Sequence, residues 1–283
     1  MRKIFYLLLA GIAVNASGID WSGYRSTKNL EKEKRYDEAI AVYEKMSDKT
    51  TDEKDDQQYM LWAVDTAVRK KDPAAAKRLA ERVKHPDRRK FIQMRIQKPG
   101  EIVEACKDLD LMTWPEDIRA EAYGRRGNAY FQLKRYDDAL KDYEKSLSIP
   151  GPNNFAGWAA RYSGWIYAKR NQPAKAEEYY RKALALSSAD FAWRNESLGE
   201  LARLLIAQKR GDEACKIFEP VERLKKMRGY WAIQLNSAYA NAQISAGKKV
   251  EALKTLDHLL QLVPEKQKSA VKKRIDGLSQ DML

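Results

Sequence analysis

Residues 120–151 read AEAYGRRGNAYFQLKRYDDALKDYEKSLSIPG, and the spacing inside this stretch decides the fold. Gly127 is followed twelve residues on by Ala139, then by Tyr143 and Ser146 at steps of four and three. The same set returns as Gly164, Ala176, Tyr180 and Ala183, as Ala202, Ala214, Phe218 and Val221, and as Ala240, Ala252, Leu256 and Leu259. Steps of three and four keep side chains on one helical face. Small residues where two helices touch let their axes approach, and a large residue one turn later fills the gap beside them. Turn signals at 135–136, 171–173, 210–212 and 247–248 separate the two helices of each unit, and Pro173 suits a first helical position.

Working outward, residues 34–46 (KRYDEAIAVYEKM) match 134–146 (KRYDDALKDYEKS) almost residue for residue. Residues 72–83 supply Ala76, Ala80 and Val83, preceded by Val64, and residues 101–112 supply Ala105, Leu109 and Met112. The alanines at 39, 76, 105, 139, 176, 214 and 252 are separated by 37, 29, 34, 37, 38 and 38 residues. The short interval marks a third unit clipped in its first helix, at about 88–97, before Pro99 and Gly100. The pattern resembles the tetratricopeptide repeat (TPR), W-x2-L-G-x2-Y followed by A-x3-F and P. The resemblance implies an all-α, right-handed solenoid of about seven helix pairs over 17–263, the first and third degenerate. Such arrays need a polar end. Residues 264–283 read as that capping helix, with Ala270, Val271, Ile275 and Leu278 on one face.

Composition agrees. Fourteen Gly and nine Pro in 283 residues are too few for a fold of many short strands, while 44% hydrophobic and 33% charged residues suit packed helices with solvated faces. Two Cys and two His exclude a disulfide-stapled fold and a four-thiolate metal site. No Gly-rich phosphate loop, nucleophile elbow or paired-His metal spacing occurs. His85 reads as a loop residue and His258 as a solvated helical one. Asp137, Asp138, Glu177 and Glu178 sit where second helices begin, complementing the helix dipole. The expectation is a non-enzyme without cofactor or metal. Cys106 and Cys215, three repeats apart, are expected as semi-buried free thiols.

The first sixteen residues differ in kind. Arg2 and Lys3 precede an apolar run over 4–14, and Val14 and Ala16 stand where a signal peptidase reads, so 1–16 is expected to be a secretory leader cleaved after Ala16. Eleven apolar residues reach about 16 Å as helix, well short of the ~30 Å hydrocarbon core. No Cys stands at the cleavage point to carry a lipid. The expectation is an exported protein, periplasmic or extracellular and bacterial in style, not membrane-spanning once processed. Cleavage leaves 51 Lys+Arg against 40 Asp+Glu, a formal charge of +11.

The TPR resemblance further implies that first helices line a concave groove. Counted from the small residue, repeat four presents Glu121, Arg125, Asn128, Phe131 and Gln132, and repeat five Trp158, Arg161, Tyr162, Trp165 and Lys169. Repeat six presents Glu196, Glu200, Arg203 and Ile206, and repeat seven Gln234, Asn241 and Ile244. Aromatic residues and Arg carry much of the energy at interfaces. The candidate partner-binding set is therefore Arg125, Asn128, Phe131, Trp158, Arg161, Tyr162, Trp165, Lys169 and Arg203, with Trp158 and Trp165 alternatively packed against repeat four or the loop at 150–152. The carboxylate clamp of chaperone-binding TPR proteins is absent: Gly124, Tyr162, Glu196 and Glu200 stand at groove positions where such a clamp would place Asn, Lys and Arg. The expected function is an exported scaffold that binds a protein or peptide, acidic ones included, and supports an extracytoplasmic complex. The alternative is a cell-wall polymer or carbohydrate binder, since aromatic platforms beside cations also suit sugars. Nucleic acid is disfavoured because Lys and Arg alternate with Asp and Glu throughout.

Overall fold

The computed structural model describes residues 18–150, 155–186, 192–219, 224 and 226–281. The expected leader, Val221 and most of the loop at 150–152 lie outside the described residues. Two compact units divide the chain, one ending at Phe155 and the other beginning at Ala156. The first holds α1 (Trp21–Lys32), α2 (Tyr36–Lys49), α3 (Glu53–Lys70), α4 (Pro73–Glu81), α5 (Pro86–Gln93), α6 (Pro99–Cys106), α7 (Glu116–Gln132) and α8 (Tyr136–Ser148). A 3-10 turn, Leu111–Thr113, leads into α7. The second holds α9 (Ala156–Lys169), α10 (Pro173–Leu186), α11 (Ala192–Ala207), α12 (Gly211–Lys216), α13 (Tyr230–Ser245), α14 (Lys249–Leu262) and α15 (Glu265–Gln280). No strand occurs among the described residues. The fold is all-α and TPR-like, each unit a succession of antiparallel helix pairs.

The spacing read from the sequence is the spacing of the core. Ala39, Ala76, Ala139, Ala176, Ala214 and Ala252 are all buried, as are Tyr43, Tyr143, Tyr180, Phe218 and Leu256 four residues after five of them. Gly127 and Gly164 show why a small residue is required. A Cβ added at Gly127 would stand 2.8 Å from the Tyr143 ring, and one at Gly164 equally 2.8 Å from Tyr180. In the first repeat Thr27 takes this place, twelve residues before Ala39; it is buried, and its hydroxyl donates to the Tyr24 carbonyl at 2.7 Å. The first pair is thus complete despite its weak motif.

The third pair departs from the expected register. Ala105 is exposed, and the buried ridge of α6 runs through Ile102 and Cys106. Both α5 and α6 have only eight residues. In so short a helix burial goes to the largest apolar groups that share a face, and Ile102 and Cys106, four apart, do so. The cap needs a similar correction. On α15, Val271 and Leu278 are buried against Ala252, Leu256, Leu259 and Val263, with Ile275 partly buried beside them, while Ala270 faces solvent. Ala270 lies one residue, about 100° of helical rotation, off that stripe.

A device absent from the sequence reading closes the first helix of six repeats. Lys34, Lys71, Lys134, Asn171, Lys209 and Gly247 have φ between 55° and 74°, each five residues before its buried alanine. The following N–H reaches back five residues in every case. Arg35 donates to Leu30 at 2.9 Å, Asp72 to Ala67 at 3.0 Å and Arg135 to Tyr130 at 2.9 Å; Gln172 to Tyr167 and Arg210 to Leu205 are also 2.9 Å, and Lys248 to Gln243 is 2.8 Å. This is the Schellman closure, usually built on Gly. The turn is set by the backbone whatever the side chain.

Candidate functional site

In the unit beginning at Ala156, the first helices α9, α11 and α13 enclose a groove of about 400 Å³. Arg161, Glu196, Glu200, Arg203, Ile206, Gln234 and Asn241 all line it, so residues from three repeats assigned to groove positions do meet in one concavity. Its charges are paired internally. Arg161 Nε lies 2.8 Å from Glu196 Oε2, and Arg203 Nη2 lies 2.6 Å from Glu200 Oε1. Arg203 nevertheless remains 70% exposed, ready to exchange its partner, whereas Arg161 is 14% exposed.

The other residues of α9 form a connected face. Trp158 and Tyr162 have ring centroids 4.4 Å apart, Arg161 lies 4.6 Å over Tyr162, and the Lys169 ammonium lies 5.0 Å over Trp165. Trp158, Tyr162 and Trp165 are half-buried and Lys169 is exposed. Indoles stacked with cations on one helix are rigid, part-desolvated contact groups.

Sequence reading assigned three residues in the other unit, and one of them has its donors engaged. Arg125 is 14% exposed, donates from Nε to Glu121 at 2.8 Å and lies over Phe91 at 5.5 Å and Phe155 at 4.8 Å. Burial pushes its guanidinium below the usual arginine value, with Glu121 working against that and Arg95 with it. Arg125 is therefore part of that unit's packing, and its charge is spoken for. Asn128 and Phe131 are half-buried, Phe131 with its ring 5.7 Å from Tyr136.

The groove has aromatic residues the motif positions do not include. Tyr230 and Trp231, in edge-to-face contact at 4.9 Å, line it from the start of α13, and Tyr230 is 65% exposed. Both precede the first groove position of repeat seven, so counting from the motif passes over them; the aromatic pair directly after Gly229 was the available signal. Arg274 belongs to the capping helix α15, outside the motif positions. It donates from Nη1 to Ser237 Oγ at 3.1 Å and from Nη2 to Asn241 Oδ1 at 2.7 Å, joining α15 to two residues of the groove wall. Burial lowers its pKa.

Elsewhere the titratable groups serve the frame. Glu177 accepts from Arg210 at 2.6 Å and from Arg181 at 2.9 Å, and both pairings hold its carboxyl below the ordinary range. His85 caps α5, its Nδ1 accepting from Asp87 N at 3.2 Å. His258, expected to be solvated, is half-buried with Nε2 shielded. Cys106 and Cys215 are buried free thiols, pushed up by burial. No metal-binding cluster of His, Cys, Asp or Glu occurs among the described residues, and no helix among them is long and apolar enough to cross a membrane.

Comparison with known proteins agrees with this architecture. Residues 118–189 match the tetratricopeptide repeat family. No curated protein matches the chain. Among solved structures, a tetratricopeptide repeat protein from Parabacteroides merdae ATCC 43184 is similar at 18% identity, covering 79% of this chain and 86% of its own, with a TM-score of 0.46. TPR-like repeats of a putative kinesin light chain from Podosopora anserina are similar at 16% identity, covering 74% of this chain and 94% of their own, with a TM-score of 0.45. The protein MamA is similar at 15% identity, with 76% and 94% covered and a TM-score of 0.41. Tetratricopeptide repeats are matched over 118–189, and helix pairs with the same buried spacing continue on both sides of that stretch.

Proposed function

We propose that the protein is an exported scaffold that holds a protein or peptide partner on its first helices and supports assembly of a complex outside the cytoplasm. The observation that carries the reading is the groove of α9, α11 and α13, where residues from three successive repeats converge around about 400 Å³. Its lining mixes Tyr230 and Trp231 with Arg161, Arg203, Gln234 and Asn241. Aromatic surface supplies contact area, and amides and guanidinium groups supply directed hydrogen bonds to backbone carbonyls and acidic side chains. Trp158, Tyr162, Trp165 and Lys169 extend the same helix with further contact groups. Export rests on the leader pattern of 1–16.

The decisive experiment is affinity capture from an envelope extract on the wild-type chain beside an Arg161→Ala/Trp165→Ala variant. A protein retained by the first and lost by the second supports the reading. Equal retention moves the site away from α9. A retained polysaccharide, insensitive to salt, favours the carbohydrate alternative, because a partner held through the arginines weakens as salt rises. The N-terminal residue of the exported protein tests the leader: Ser17 supports cleavage after Ala16, and Met1 contradicts it.

A further inference from the structure

Arg274 stands outside the repeats, on α15, yet it is bonded to the wall of the groove through Ser237 and Asn241. Both partners are neutral. The two arginines that line the groove each have a carboxylate, Glu196 for Arg161 and Glu200 for Arg203. Among the described residues no carboxylate lies within ion-pair distance of Arg274, and burial acts on its charge with no acid offsetting it. A part-buried charge without a counter-charge is destabilised relative to one that is paired.

What remains unused at this corner is mostly donors. Asn241 has committed Oδ1 to Arg274, so its Nδ2 donors are what it offers a ligand. Ser237 likewise accepts through Oγ and keeps its O–H to donate. The guanidinium has no acceptor at all. The complement of such a donor-rich corner is an acceptor-only anion, and a carboxylate takes two or more of these donors at once. A densely anionic ligand suits the groove less well, because Glu196 and Glu200 line it too and would repel repeated negative charge.

We propose that Arg274, with Asn241 and Ser237, is the docking point for a single carboxylate of a polypeptide lying along α11 and α13. This inference rests on the peptide-binding reading of the groove. The terminal helix thereby completes the binding surface as well as covering the last pair, and it selects among partners by charge at one position.

Short N-acetylated, C-amidated peptides of Ala, Ser, Gln and Leu, each carrying one Glu, are titrated onto the full chain beside twins carrying Gln, with tryptophan fluorescence as the readout. A Gln peptide with a free C-terminus distinguishes a side-chain carboxylate from a chain end. Glu or free-acid peptides are expected to bind about tenfold or more tightly than their twins, the scale of one charge-assisted hydrogen bond. Arg274→Gln removes that preference and Arg274→Lys keeps part of it. Asn241→Asp also removes it, by setting an internal carboxylate against Arg274. Because that variant adds a pair, its melting temperature is not lower than the wild type, so loss of folding does not explain the result. Acidic and neutral peptides binding alike, or a preference surviving both variants, overturns the carboxylate site and leaves the groove reading standing. No binding of any peptide, acidic or neutral, overturns both.

Discussion

Arginines in the interior of the first unit and arginines at the groove of the second are used for opposite purposes. In the unit ending at Phe155, Arg88 donates from both Nη atoms to Asp117 at 2.8 Å and from Nη1 to Gln57 at 2.7 Å, almost fully buried. Arg126 donates to both oxygens of Asp142 at 2.8 Å and to the Cys106 carbonyl at 3.0 Å. These guanidinium groups join neighbouring helix pairs. In the unit beginning at Ala156, Arg161 and Arg203 line an open groove instead, and Arg274 is bonded to two residues of its wall. A cation whose counter-charge is buried with it is a structural bolt; one beside an exposed acid or a neutral acceptor is available to a partner.

The sharpest way to break this contrast is to delete one arginine of each kind. Arg126→Ala leaves Asp142, 6% exposed, without its counter-charge and is expected to destabilise by about 3–5 kcal/mol. Arg203→Ala, at a surface pair, should change stability by no more than about 0.5 kcal/mol. Urea denaturation of both variants decides it, and equal losses would sink the distinction.

Glycines offer the next test. Gly127→Ala places a methyl against the buried Tyr143 ring and is expected to destabilise by about 1–3 kcal/mol. Gly199→Ala, with no atom within 4 Å of the added carbon, should stabilise α11 by up to about 1 kcal/mol. Thermal melts that moved the same way for both would contradict the packing described for the repeat.

Acid provides a third, smaller effect. Burial works to raise the Asp117 carboxyl, but hydrogen bonds and charge from Arg88 outweigh it and hold it below its ordinary value. The folded-state pKa is thus below the unfolded one, so the stabilisation is whole above about pH 4 and is lost as pH falls through the folded value. Asp117→Asn should melt lower than wild type at neutral pH, with the gap narrowing on acidification. A gap independent of pH would remove Arg88 and Asp117 as the cause.

The smallest expected effect lies in the turns. Lys134→Gly relieves a left-handed residue and should stabilise by at most about 1 kcal/mol, while Gly247→Ala should lose about as much. Melting curves of the two should shift in opposite directions.

Much of the fold was legible because the repeat writes its contacts at fixed intervals. Gly127, Ala139 and Tyr143 must be small, small and large for the two helices to touch, so the demand appears directly in residue size. The register failed where that demand weakened: α6 has two turns, and Ile102 with Cys106 displaced Ala105. The left-handed turn residues were hidden because four of the six are lysines, a type that does not announce a positive φ. Part of the lining of the concavity, Arg161 and the α11 and α13 residues assigned from the motif, was readable for a different reason. One face of a first helix is left over once the other two are packed, and counting from the buried residue finds it.

The sequence by itself determined the succession of helix pairs and, outside α6 and α15, the faces they bury, since each depends on neighbours a few residues away. It also pointed to part of the lining of the concavity, Arg161 on α9 and Glu196, Glu200, Arg203, Ile206, Gln234 and Asn241 on α11 and α13. Only the tertiary structure decided which cations are free to act there. Arg125 and Arg161 stand two and three residues before the small residue of successive repeats, yet one lies over two phenylalanine rings and the other beside Glu196 at the groove. Arg274 lies outside every motif and still reaches Asn241, thirty-three residues away. Charge pairing is settled by which side chains arrive within a few ångströms of each other and how much water they keep, and neither is written in the spacing of a repeat.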